Sequence, residues 1–241
     1  MKFGFFVKCP AIEIIESMGI AGLDFAVVDM EHTSLGPRDL YPLLLAAENR
    51  KLELIVRIPT KQDFYFKWCR DLNINVIQVP HVETADDVHF ALKQTMFYPY
   101  GERGLCRFVR ASDFSAKNNS EYLSYANSHN KLILQLEGKK AVDNIDEIIS
   151  ASKISPEISL FVGPYDLSQS LGKPGEIWDP LVQETMDMII SKCKDKNIAI
   201  GTFTDNIKGL EHWKKKGIDF VQYASDLNVF IDSAKHLKNL L

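Results

Sequence analysis

Short runs of β-branched and aromatic residues recur along the chain. Between them lie stretches with apolar positions three and four residues apart. The runs are FGFFVK (3–8), DFAVVD (24–29), LELIVRI (52–58), NVIQVP (75–80), KLILQLE (131–137), ISLFVG (158–163), NIAIGTF (197–203) and DFVQYA (219–224). They are apolar on both parities, the pattern of strands buried on both faces of a parallel sheet. IEIIESMG (12–19), DLYPLLLAAENR (39–50), ADDVHFALKQTM (85–96) and LVQETMDMIISKCKDK (181–196) read as the intervening amphipathic helices. Gly19, Asn73 and Gly217 stand where helices should stop in the left-handed conformation. Eight alternating β and α units with no break in composition predict one TIM-type (β/α)₈ barrel, a single catalytic domain over residues 1–241. A doubly wound open sheet fits less well, because no glycine-rich phosphate loop follows any run. The one long connection, 98–130, carries YPYGERGLCRFVRAS, and connections of that length in compact domains are usually functional.

Composition narrows the partners. With 46% hydrophobic residues the chain can bury a sizeable core. Lys and Arg (28) and Asp and Glu (32) are interspersed, so no basic stripe suits a nucleic acid backbone. No apolar run approaches membrane-spanning length, and the N-terminal GFFV is too short for a signal peptide. Cys9, Cys69, Cys106 and Cys193 form no CxxC pair or metal spacing and read as reduced thiols of a cytoplasmic protein.

Catalytic groups of a barrel sit at the C-terminal ends of its strands. Run two ends in Asp29, Glu31 and His32, run three in Arg57, run five in Gln135 and Glu137, and run six leads to Asp166. Gln135 and Glu137 share parity with Ile133 and so share a face. Two buried carboxylates aimed at one spot repel unless a cation lies between them, and an oxygen-rich set suits Mg²⁺ or Mn²⁺ better than Zn²⁺. Glu137 and Asp166 are the expected pair, although an Asp before LSQSL could instead cap a helix. Arg57 either bridges acids across the rim or holds an oxyanion. His32, beside Asp29 and Glu31, is placed for proton transfer. His81, after run four, either lines the mouth or packs. The remaining histidines and the aromatics 64–68 read as surface, packing or subunit contacts.

The segments GLDFAVVDMEH, IVRIP, YPYGERG, LILQLEG and FVGPYDLSQSLGKPG occur in order at these strand ends. Through them the chain resembles the HpcH/HpaI aldolase and citrate lyase family, nearer its pyruvate-type class II aldolases than its citrate lyase β subunits. The resemblance implies reversible cleavage of a 4-hydroxy-2-oxo acid to pyruvate and an aldehyde through a metal-stabilised enolate. It implies a divalent cation (Mg²⁺, Mn²⁺ or Co²⁺) on Glu137 and Asp166, with Gln135 and the Gly163-Pro164-Tyr165 turn against the 2-oxo acid. Arg57 would hold the keto oxygen and His32 would transfer protons. Asp71 would be lent by a neighbouring subunit, which implies a homo-oligomer, typically a hexamer. The chain departs from the family at Tyr165, where a small residue is common, at Asn73 in place of Gly, and at Ala224-Ser225-Asp226 in place of Gly-x-Asp. Three other readings compete: a Schiff-base aldolase using Lys8, an acyl-CoA lyase of the citrate lyase β type using Arg103, Arg107 and Arg110, and a non-catalytic barrel.

Overall fold

A computed structural model describes residues 1–155 and 157–241. Among them, eight parallel strands close into a barrel in sequence order. They are β1 (Lys2–Val7), β2 (Phe25–Asp29), β3 (Glu53–Arg57), β4 (Val76–Val79), β5 (Lys131–Leu136), β6 (Ile158–Val162), β7 (Ile200–Thr204) and β8 (Phe220–Ser225). Every expected run contains a strand, displaced at its ends by at most three residues, the most at the start of β7. Inward-pointing Phe6, Phe25, Val27, Ile55, Val76, Ile133, Phe161 and Phe220 fill the barrel as one cluster. Each buried large side chain of this kind contributes about 1.5–3 kcal/mol. The alternate residues, such as Val28, Val56, Leu134 and Val162, pack outward against the helices. That division explains why the runs are apolar on both parities.

The expected helices appear as α1 (Ile12–Ile20), α2 (Pro37–Arg50), α4 (Ala85–Thr95) and α9 (Pro180–Asp195). Between β3 and β4 lies α3 (Asp63–Asp71), after β7 α10 (Ile207–Lys216), and after β8 α11 (Asp226–Lys238). Asn73 (φ 68°) and Gly217 (φ 67°) take the left-handed conformation as expected. Gly19 does not: it lies inside α1, where a Cβ would come within 2.5 Å of Arg50 Cβ, and Gly22 (φ 76°) makes the turn instead. The long connection is also not bare loop. It contains a 3₁₀ segment (Arg110–Ser115) and the helix α5 (Asn119–His129).

Two details position the mouth. The β1–β8 seam shifts register so that Phe5 faces Tyr223 while Phe6 faces Ser225, with Ala224 at φ 35° between them. Asp226 then accepts the backbone N–H groups of Lys8 and Cys9, each at 3.1 Å, fastening the loop after β1 to the end of β8. After β5 come the short helices α6 (Lys139–Asp143) and α7 (Ile145–Ser152), and after β6 the short helix α8 (Pro164–Ser170).

Candidate active site

The C-terminal strand ends converge on one cavity of about 340 Å³, lined among others by Lys8, His32, Arg57, Gln135, Tyr165 and Asp166. Its charged floor is organised by Asp29, the last residue of β2, which is fully buried. Arg57 grips it with a fork, Nε to Oδ1 at 2.8 Å and Nη2 to Oδ2 at 2.7 Å. Lys8 Nζ donates to Oδ2 as well, and the backbone N–H of Glu31 donates to Oδ1. Burial by itself raises the Asp29 pKa, but the Arg57 and Lys8 bonds and charges outweigh it and hold the carboxyl well below the usual range. Asp29 is thus committed to orienting Arg57, whose guanidinium also lies 4.7 Å from the centre of the Phe6 ring.

Glu137 follows β5 directly and is almost wholly buried. Its Oε2 accepts from Gln135 Nε2 and its Oε1 from the His81 backbone N–H at 2.8 Å. His81 Nδ1 stands 3.0 Å from the same Oε1, and His81 Nε2 stands 3.2 Å from Glu31 Oε1. Burial raises the Glu137 pKa, yet the His81 and Gln135 bonds bring it below its ordinary value. Glu31 has no such relief: burial pushes it up to about 7, the neighbouring Glu137 adds to this, and Arg57 only partly opposes it. The bond to Glu137 lifts His81 to about 9.

Below Glu137 the barrel is bridged by buried amides. Gln222 Nε2 donates to Gln78 Oε1 (2.5 Å), Gln78 Nε2 to Gln135 Oε1 (2.6 Å), and Gln135 to Glu137. Gln78 and Gln222 were not singled out by sequence reasoning. The signal was available, since each is the one amide in an otherwise apolar strand and lies on the inward parity.

Of the sequence candidates, Asp29, Glu31, Arg57, Gln135 and Glu137 are brought together. His32 stands at the edge of the group, its ring mostly exposed and Nε2 3.8 Å from Glu31 Oε2. Asp166 lies in the mouth on the first turn of α8 and caps nothing, since Gly163 holds the cap position and makes no side-chain bond. It is exposed and stands outside the tight group that joins Glu31, His81 and Glu137. The backbone of Gly163 touches that group so closely that a Cβ would meet Glu137 Oε2 at 2.9 Å. The Gly163 N–H is spent on the Leu136 carbonyl and Pro164 has none, which leaves the Tyr165 and Asp166 amides of the turn for a ligand. Tyr165 donates its hydroxyl to Asp205 at 2.5 Å and walls the cavity. Asp71 is elsewhere, at the end of α3, where Arg103 Nη2 holds it at 3.1 Å.

Of the three arginines of the long connection, Arg107 is exposed and reaches only the Ser115 carbonyl of the connection itself, while Arg103 and Arg110 are engaged with the helices around the barrel. Arg103 also bonds Tyr122, and Arg110 bonds Glu48 and the Leu72 carbonyl. Lys8, the Schiff-base candidate, is paired with Asp29. The residues present do fit a divalent cation. One donor atom from each of Glu31, His81 and Glu137 lies within 4.8 Å of the others, and Glu31 Oε2 is buried with no hydrogen-bond partner among the described residues.

Comparison with known proteins bears on the family and the fold. A model of the HpcH/HpaI aldolase/citrate lyase family matches residues 2–233. The 5-keto-4-deoxy-D-glucarate aldolase of Salmonella paratyphi C is 30% identical over 222 residues, covering 92% of this chain and 85% of that one. An HpcH/HpaI aldolase/citrate lyase family protein from Burkholderia cenocepacia superposes with a TM-score of 0.92 at 28% identity, over 99% of this chain and 93% of that chain. An HpcH/HpaI aldolase from Desulfitobacterium hafniense superposes with a TM-score of 0.91 at 24% identity, over 99% and 92%, a likeness of fold.

Proposed function

This chain belongs to the HpcH/HpaI aldolase/citrate lyase family, and from that premise we propose that it is a class II aldolase that reversibly cleaves a 4-hydroxy-2-oxo acid to pyruvate and an aldehyde. The observation that carries the reading is the convergence of Arg57 and His32 on one cavity at the C-terminal end of the barrel, with Glu31 against both of them and Glu137 against the cavity-lining Gln135. Cleavage beside a carbinol leaves an enolate, and the chemistry demands a group for its charge and another for the proton. A bound divalent cation supplies Lewis-acid stabilisation of that charge. Glu137 would hold the cation, with Asp166 as its partner across the turn after β6. Arg57, preset by its fork on Asp29, keeps Nη1 out of that fork, 3.2 Å from Glu31 Oε2, and would bind the keto oxygen. His32 would take the carbinol proton and later return one. Gln135 and the turn Gly163-Pro164-Tyr165 would hold the carboxylate end, the Tyr165 and Asp166 amides doing the binding.

The 30% identical relative acts on 5-keto-4-deoxy-D-glucarate, so that sugar acid is the first substrate to offer, followed by other 4-hydroxy-2-oxo acids. Pyruvate release should require Mg²⁺, Mn²⁺ or Co²⁺ and stop in EDTA. Full turnover in EDTA would overturn the metal assignment, and no pyruvate from any of these acids would overturn the aldolase reading. Calorimetry with acetyl-CoA tests the acyl-CoA lyase alternative, which loses support from the engagement of Arg103 and Arg110 in the barrel wall.

We further propose a homo-oligomer in which a neighbour's Asp71 reaches His32. Two surfaces support this. Asp71 adjoins a shallow apolar patch with Tyr41, Trp68 and Phe114, and α11 leaves Phe230 73% exposed beside Leu227 and Ile231. The whole chain would act as one catalytic domain. A reducing, cytoplasmic setting accords with four free cysteines and with the lack, among the described residues, of a helix long and apolar enough to cross a membrane.

A further inference from the structure

The reading above gives the cation to Glu137 and Asp166 and leaves His81 without a part. The loop after β4 turns back on itself at this residue, whose φ of 53° lies in the left-handed region that a non-glycine residue rarely occupies. The turn aims the imidazole into the site. Its two nitrogens stand 3.0 Å from Glu137 Oε1 and 3.2 Å from Glu31 Oε1, and its own backbone N–H locks it to Glu137. Glu31 faces it with a side chain only 8% exposed. Glu31 Oε2 is buried with no hydrogen-bond partner among the described residues, and the Arg57 Nη1 at 3.2 Å satisfies only the distance of a salt bridge. The ring itself is 58% exposed and open to an incoming ion. Two carboxylates and an imidazole about one point form a donor set that prefers Mn²⁺ and, more strongly, Co²⁺ over Mg²⁺, because nitrogen is a poor ligand for magnesium.

We propose that His81 is a ligand of this chain's divalent cation, binding through one ring nitrogen between Glu31 and Glu137 and turning its metal preference from Mg²⁺ toward Mn²⁺ and Co²⁺. The inference rests on the reading that Glu137 holds a cation. The second ring nitrogen keeps a carboxylate as its acceptor, which fixes the tautomer and the orientation of the ring.

The test is metal binding by the full chain, read without any substrate. Metal-free protein is titrated calorimetrically with Mg²⁺, Mn²⁺ and Co²⁺, and the Mn²⁺ form is examined by pulsed electron paramagnetic resonance for coupling to ¹⁴N. Wild type should bind Co²⁺ and Mn²⁺ more tightly than Mg²⁺ and show nitrogen coupling. His81→Gly tolerates the left-handed backbone. It should lose the coupling and about ten- to a hundredfold in affinity for Mn²⁺ and Co²⁺, with little change for Mg²⁺. His81→Asn, which also accepts that backbone, serves if the glycine variant does not fold. Glu137→Gln should lose all three ions. An Mn²⁺ form without nitrogen coupling overturns the proposal, as does a His81 variant with wild-type affinities. If those results come with loss of metal in Glu137→Gln, only the role of His81 falls. If Glu137→Gln binds like wild type, or wild type binds none of the ions, the reading of Glu137 falls too.

Discussion

Arg57 and His32 meet the same cavity under different constraints, and their substitutions separate accordingly. Replacing Arg57 with alanine would leave the buried Asp29 carboxylate short of its main partner, at about 3–5 kcal/mol of stability, and would confuse folding with catalysis. Arg57→Lys keeps the charge on Asp29 and gives up the fork, so kcat/KM should fall about 10²–10³-fold while the melting curve moves little. Steady-state kinetics beside thermal melts decides it, and unchanged kinetics would make Arg57 a rim strut. His32 has no such structural duty, its ring being 61% exposed. His32→Ala should lower kcat about 10²–10⁴-fold with near-native pyruvate binding by calorimetry, and a wild-type kcat would remove it from the proton path. At this scale the sequence was readable where a residue belongs to a strand. Parity fixed the common face of Gln135 and Glu137, and the same rule applied to Gln78 and Gln222 would have found the amide relay. The sequence put Asp166 ahead of His81 without help from parity, because both lie beyond strand ends. There a left-handed backbone at His81 and a helical turn at Asp166, rather than periodicity, decide which side chain joins Glu31 and Glu137.

The loop that carries His81 is held by the helix that follows it. Asp87, in the first turn of α4, accepts the N–H groups of Glu83 (2.8 Å) and Thr84 (3.0 Å) and the Lys61 ammonium (2.6 Å), while Thr84 Oγ1 caps the Asp87 N–H. Burial opposes the charge of Asp87, but these donors win and lower its pKa from the ordinary 3.8. The sign follows: with the folded value below the unfolded one, the stabilisation is complete above about 3.8 and is lost as pH falls through the folded value. Asp87→Asn should therefore lower Tm at neutral pH by about 2–4 °C for a cap of about 1 kcal/mol, with the gap closing in acid. A gap independent of pH would show that the carboxylate charge is not the stabilising feature. On the opposite wall, Gly163 is required by closeness to Glu137 rather than by its own backbone angles, which any residue adopts (φ −85°). Gly163→Ala should leave folding nearly intact by circular dichroism while weakening Mn²⁺ binding in a calorimetric titration. Native affinity would mean that Glu137 can give way without loss. Capping at Thr84 and Asp87 is legible in TADD, and so is the α3 stop at Asn73. The helix hidden in 98–130 is not, because α5 is mostly polar, with only Tyr122 and Ala126 buried, so its apolar period is too faint to read.

The barrel is the most legible level of all, since eight doubly buried runs separated by helices leave little room for another closure. What the pattern does not encode is whether copies of the barrel meet, and through which face. In α11 only Asp226 is buried, and Phe230, Ile231 and Leu237 face outward. Light scattering should find more than one protomer per particle, and Phe230→Asp with Ile231→Asp should reduce that number. A wild-type monomer at micromolar concentration would overturn the shared-site reading of Asp71. Asp226 itself carries a different implication. Its carboxylate pins the loop bearing Lys8 and Cys9, so the backbone after the first strand waits for a residue that lies beyond the eighth. A nascent chain can already hold Lys8 and Arg57 on Asp29 while the backbone of the loop after β1 still lacks its anchor. The wall beside β1 sets only when the eighth strand arrives, so partly synthesised chains carry the acids of the site but not its finished shape.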